Sequence, residues 1–222
     1  MGLGNVKAII FDLDNTLLDR GTTFRRFIDS VVLQYFSHVN NPADMIERII
    51  ELDQDGYKDK QELFTELLEE LPWQTKPGIA ELLDYYAEHY VKSACLMEGA
   101  EEVIRQLGEN YKIGLITNGK THIQYGKIDQ LDMRDWFDVI LVSEEAGVKK
   151  PHAGIFEMAV AQLGISADEC LYIGDHPVND IQGAGGYGMQ TIWFEVNQPW
   201  HENLTVVPKH KITHLRDLIE IC

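Results

Sequence analysis

One short apolar run, Ile9-Ile10-Phe11, stands near the N-terminus, and two aspartates, Asp12 and Asp14, follow at its far end. A continuous run of this kind reads as a strand buried on both faces, as in the middle of a parallel sheet. Such a strand needs neighbours, yet the next sheet-forming segment begins only near Lys112. The segment between has helical grammar. The chain therefore reads as a sheet-forming domain interrupted, just after its first strand, by a helical insert.

Within the insert Phe24, Phe27, Ile28, Val31, Val32 and Tyr35 recur at helical spacing, and Asn40-Asn41-Pro42 breaks the pattern. Met45, Ile46, Ile49 and Ile50 open a second helix. Gly56 marks a turn, Leu63 to Leu71 form a third helix stopped by Pro72, and Ile79 to Tyr90 form a fourth. Four helices with short breaks predict a small bundle, with the apolar stripes as its core.

After Leu96 the pattern alternates. A helix at Ala100–Leu107 precedes Lys112–Thr117, a helix at Ile123–Leu131 precedes Asp138–Val142, and a helix at Ala153–Leu163 precedes Cys170–Asp175. A short helix from Val178 leads to the last clear strand, Gln190–Phe194. This alternation predicts an α/β fold: a doubly wound, parallel, Rossmann-like sheet with right-handed crossovers. The expected division is a core of residues 1–18 and 95–222 with an all-helical, four-helix-bundle cap at 19–94.

Two aspartates two residues apart on an extended backbone point the same way, into the crevice at the carboxyl end of the sheet where open α/β folds bind ligands. Like charges so close call for a shared cation or proton. The competing reading is a turn or helix cap, the ordinary role of an aspartate before Asn15-Thr16. Each later strand also ends in a polar group: Thr117-Asn118-Gly119, Lys149-Lys150-Pro151, and Gly174-Asp175-His176-Pro177-Val178-Asn179-Asp180. Singly these are caps, turns and a solvated lysine. Together, a hydroxyl, a cation and further carboxylates at successive strand ends describe a phosphate and divalent-metal site. His176 reads as a turn residue or as an imidazole at the mouth of that site.

Charge and cysteine content narrow the partners. Over 222 residues, 36 acids against 19 bases give a net charge of −17 without a basic cluster, which argues against nucleic-acid polymers and anionic membranes. The opening Met1-Gly2-Leu3-Gly4-Asn5 lacks a leader's charged and apolar regions, and no apolar run has membrane-spanning length, so a cytoplasmic protein is expected. It is expected to be a monomer or weak homodimer. Cys95, Cys170 and Cys222 are odd in number and far apart, and read as free thiols.

The ordered set D-L-D-N-T-L, I-T-N-G, K-P-H and G-D-x-x-x-x-D resembles the haloacid dehalogenase-like (HAD) hydrolase superfamily, from Asp12 to Asp180. Asn15 and the I-T-N-G form, with Gln124 and Lys127 behind it, look most like the N-acylneuraminate-9-phosphatase and pyrimidine-nucleotidase branch. The resemblance implies Asp12 as nucleophile and Asp14 as general acid and base. It implies Thr117, with Asn118, and Lys150 as phosphate binders. Asp12 and Asp175, with the Asp14 main-chain carbonyl, would hold Mg²⁺, and Asp180 would be either a further ligand or a partner of the ligands. The helical insert resembles a cap, and the implied substrate is a small phosphorylated metabolite such as a sugar phosphate or nucleotide. Competing readings are a dehalogenase, which needs neither Asp14 nor the metal carboxylates, a phosphomutase, and a catalytically silent binding or regulatory module, which would have lost a motif residue.

The loop Asp53–Asp59 interrupts two amphipathic helices of the insert. Gly56 would let it approach a ligand, and Tyr57 and Lys58 are candidates for specificity. The alternative is a solvated turn with Lys58 paired to Asp55 or Asp59. Arg20, Arg25 and His122 are the next candidates.

Overall fold

The computed structural model describes residues 4–222; of the N-terminal stretch read for a leader, residues 1–3 lie outside the described residues. The chain divides into two units, residues 1–19 with 96–222, and residues 20–95.

In the first unit the strands are β1 (Ala8–Phe11), β2 (Lys112–Thr117), β3 (Val139–Val142), β4 (Cys170–Gly174), β5 (Gln190–Phe194) and β6 (His210–Ile212). They form one sheet in the order β3-β2-β1-β4-β5-β6, parallel throughout. The first strand is thus central. Its four residues are fully buried, and Ile9 registers with Ile113 on one side and Leu171 on the other. The edge strand β6 lies beyond the last strand legible in the sequence, because three residues, one exposed, offer too short a pattern to read.

Beyond β1 the backbone closes on itself. The amides of Leu17 and Leu18 both donate to the Leu13 carbonyl, at 3.0 and 2.8 Å. Asn15 occupies the left-handed region at φ 60°, which asparagine tolerates better than most residues. Leu18 bridges Leu96, and the Met97 amide donates to the Leu17 carbonyl at 2.9 Å. The outgoing and returning strands of chain are therefore tied together where the helical insert departs.

The helical unit comprises α1 (Arg20–Tyr35), α2 (Ala43–Asp53), α3 (Lys60–Glu70) and α4 (Ile79–Lys92). Its core is aromatic: Phe27 meets Tyr86 and Tyr90 edge-on at centroid distances of 5.3 and 6.0 Å, and Trp73 lies 4.5 Å from Phe36. Asp59 caps α3 by accepting from the amides of Gln61 and Glu62. Among the described residues no helix is long and apolar enough to cross a membrane.

The turn 53–59 corrects three expectations. Arg20 is not available for specificity: it is buried, donating to Asp53 at 2.6 Å and Asp55 at 3.3 Å and lying over the Phe24 ring. Gly56, at φ 90°, faces this guanidinium, and a side chain there would collide with it; its openness serves Arg20 rather than a ligand. Lys58 pairs with neither aspartate but with Glu66 at 2.5 Å, so its charge is already answered. Tyr57 remains 57% exposed. Arg25 is engaged on the surface with Asp29 and Glu47.

Removing one partner of a buried ion pair costs more than the pair contributes, because the other charge is left stranded. Arg20→Met leaves Asp53, 1% exposed at its side chain, with Lys60 alone at 2.8 Å. The expected local loss is about 3 kcal/mol, read as faster amide hydrogen exchange across α2 and α3. Unchanged protection there would show that Arg20 does not hold the turn.

The remaining helices of the first unit are α5 (Ala100–Gly108), α6 (Thr121–Gln130), α7 (Ser143–Ala146), α8 (Ala153–Leu163), α9 (Gly183–Gly186) and α10 (Asp217–Ile221). A π-helical turn at Pro177–Gln182 precedes α9.

Candidate active site

The strand-end residues converge on Lys150. This lysine is 3% exposed, and its Nζ lies 2.5 Å from Asp12 Oδ1, 2.7 Å from Asp180 Oδ1, and 3.0 Å from both the Ile116 carbonyl and the Tyr172 hydroxyl. Burial alone would push the lysine's pKa down. The Asp12 and Asp180 carboxylates outweigh it and hold the ammonium well above its ordinary value.

Asp12 leaves β1 through an amide donated to the Ile173 carbonyl at 2.9 Å, which sets its side chain between β2 and β4. Burial, aided by Asp180 and Asp14 and opposed by Lys150, raises its carboxyl to about 7. Its second oxygen, Oδ2, accepts no hydrogen bond among the described residues and is open to a ligand or electrophile.

Asp12, Asp175 and Asp180 each present an oxygen within 4.8 Å of the others, all buried. Three carboxylates facing one ammonium leave an excess of negative charge in a dry site, and their hard oxygens suit a small divalent cation such as Mg²⁺. The residues therefore fit the metal. Their supports are equally specific. Asp180 accepts from the His176 amide at 3.0 Å, and a side chain at Gly174 would overlap its carboxyl. The Trp193 indole donates to the Asp175 carbonyl at 2.8 Å. His176 resolves as a turn residue: its Nδ1 accepts from the amides of Val178 and Asn179, and burial lowers its pKa.

Asp14 is placed differently from the expectation of two carboxylates leaning together. The turn at Leu13 ends the strand, and the Asp14 carboxylate meets the second buried lysine, Lys127, at 2.7 Å from each oxygen. Gln124 Nε2 adds a bond to Oδ2 at 2.9 Å and also meets the Thr117 hydroxyl. The Asp14 carboxylate lies outside the cluster that Asp12, Asp175 and Asp180 form.

Thr117 stands at the end of β2, 1% exposed. Asn118 is a correction: its Nδ2 donates to the Lys150 carbonyl at 3.0 Å and its Oδ1 accepts from the Lys150 amide at 2.9 Å. Its side chain positions Lys150 instead of facing an anion. Tyr172 was missed altogether as a site residue. The one cue was a hydroxyl inside the otherwise apolar strand C-L-Y-I-G. Lys127 had a cue too, as a charge on the stripe Ile123-Gln124-Lys127-Ile128 that α6 buries.

The sequence model of the haloacid dehalogenase-like hydrolases matches residues 9–194, which includes all of these side chains. The chain belongs to that family. Among other HAD-like proteins it is 34% identical over 207 residues to the glyceraldehyde 3-phosphate phosphatase of Pyrococcus abyssi (strain GE5 / Orsay), covering 86% of this chain and 82% of the relative. It is 28% identical over 233 residues to the N-acylneuraminate-9-phosphatase of Homo sapiens, covering 98% and 94%. The HAD-like fold is shared with a crystal structure of the putative HAD-hydrolase YfnB from Bacillus subtilis bound to magnesium, at TM-score 0.83 and 24% identity over 98% of each chain.

The raised Asp12 pKa makes a stability prediction for the metal-free protein. Between the ordinary carboxyl value of 3.8 and about 7 the folded state binds more protons than the unfolded state, so stability falls as pH rises through that window. Asp12→Asn removes this penalty. Thermal unfolding in EDTA should show the variant gaining stability over wild type at pH 8 relative to pH 4; equal differences at the two pH values would contradict the assignment.

Proposed function

We propose that this protein is a Mg²⁺-dependent phosphomonoester hydrolase that acts on a small phosphorylated metabolite through an aspartyl-phosphate on Asp12. The observation that carries the reading is Asp12 itself: a buried carboxylate with one oxygen held by Lys150, the other open, and two further carboxylates within 4.8 Å. Relatives named as phosphatases of glyceraldehyde 3-phosphate and N-acylneuraminate support a small phosphate monoester and differ in which one. A halide-displacing enzyme would leave the Asp175 and Asp180 carboxylates and the Lys127-held Asp14 without a task.

Asp12, Asp175 and Asp180 would hold Mg²⁺, which would supply positive charge to offset the repulsion between a dianionic ester and the attacking carboxylate. Asp12 Oδ2 forms the new bond to phosphorus as the bond to the leaving oxygen breaks. Asp14 gives that oxygen a proton, and then takes one from the water that attacks phosphorus and releases phosphate. The Thr117 hydroxyl donates to a non-bridging oxygen, Lys150, its own donors taken by Asp12, Asp180 and the Ile116 carbonyl, adds positive charge beside the ester, and Asn118 keeps the lysine's backbone in place. The helical unit is proposed as the cap, since it is inserted directly after the Asp12–Leu18 turn.

Asp12→Asn should abolish phosphate release from a panel of phosphorylated metabolites while the circular dichroism spectrum is retained. Near wild-type turnover in this variant would refute the nucleophile. Separately, EDTA should stop turnover of the best substrate and Mg²⁺ should restore it, with Ca²⁺ a poor replacement because its coordination is larger and looser. Full turnover in EDTA would exclude the metal.

A further inference from the structure

The phosphatase reading requires Asp14 to deliver and recover a proton, and the structure supplies an apparatus around it that this reading does not use. Lys127 projects from the buried stripe of α6 and is 1% exposed, whereas the Asp14 side chain is 24% exposed. Water could solvate Asp14 unaided. A buried ion pair is weak evidence of a role in stability, since an apolar pair of similar volume often does as well. The lysine nevertheless contacts both Asp14 oxygens at 2.7 Å, a two-point hold that sets the plane of the carboxylate.

Gln124 adds a third point. Its Nε2 is shared among Asp14 Oδ2 at 2.9 Å, the Thr117 hydroxyl, and the Asn118 carbonyl at 3.3 Å, so Asp14 is tied to the end of β2. Gly119, at φ 153°, makes room for this: a Cβ there would stand 2.9 Å from Gln124 Cδ. We propose that Lys127, assisted by Gln124, is a positioning residue that fixes the Asp14 carboxylate for its two proton transfers. This rests on the phosphatase reading.

The test is a double-mutant cycle of Lys127→Met and Asp14→Asn, with Lys127→Arg as the conservative variant, assayed in Mg²⁺ on p-nitrophenyl phosphate and glycerol 2-phosphate. Asp14→Asn should lose about 10²–10⁴-fold in kcat on the alkyl ester, where the leaving oxygen needs its proton, and less on p-nitrophenyl phosphate. Lys127→Met should follow the same order, by about tenfold or more on the alkyl ester, with KM moving by less than about threefold. Lys127→Arg should recover part of the loss. Added to Asp14→Asn, Lys127→Met should cost little more, because both act through one group. Equal losses on the two esters, fully multiplicative losses in the double variant, or a rise in KM alone would overturn the proposal. A second readout needs no turnover: a crystal structure of Lys127→Met should show the Asp14 carboxylate out of hydrogen-bond reach of Gln124, and an unmoved carboxylate would overturn the proposal. A wild-type enzyme inactive on every phosphate ester would fail the phosphatase reading, while the Asp14 position would still decide whether Lys127 holds it.

Discussion

The site depends on one buried ammonium. Lys150 stands between Asp12 and Asp180 at 2.5 and 2.7 Å, and without it two buried carboxylates would confront each other at the end of the sheet. Such a group is tolerable only when its donors are matched by acceptors. The Ile116 carbonyl and the Tyr172 hydroxyl complete that set, and the Asn118 side chain grips the lysine's main chain from both sides. Much of the local sequence that reads as phosphate chemistry is in fact occupied in holding Lys150 still. The same ammonium leaves Asp12 with one restrained oxygen and one open oxygen, the condition a positioned nucleophile requires.

A second lysine separates the two aspartates of D-L-D. Asp12 is buried with Lys150, and Asp14 sits at the margin with Lys127. Two carboxylates so near in sequence thereby acquire different surroundings. The turn at Leu13 and the left-handed Asn15 are what send Asp14 toward α6 rather than onward along the strand.

In the helical unit the polar turn was misread, for a definable reason. Arg20, Gly56 and Lys58 look like ligand-facing residues when the chain is read as a line. Folding brings Asp53, Asp55 and Glu66 to the two cations, and the guanidinium fills the space that Gly56 leaves. A charge on a loop is as readily answered by its own fold as by a substrate. Periodicity carries no information on which acid will answer it.

The order of the first five strands, the parallel α/β class, the helical interruption after β1 and the ordered strand-end motifs were all determined by the sequence itself. Each is local: apolar period, turn residues and the position of a polar group at the end of a run. Only the tertiary structure decided which cation serves which carboxylate. Lys150 lies 138 residues from Asp12, and Lys127 lies 113 from Asp14, so the pairing depends on where the crossovers set β1, β2, α6 and the loop after β3. It likewise turned Asn118 from an anion ligand into a support and brought Tyr172 into the site. The short edge strand β6 exists because β5 offers an unpaired side, a neighbour relation that three residues cannot announce on their own.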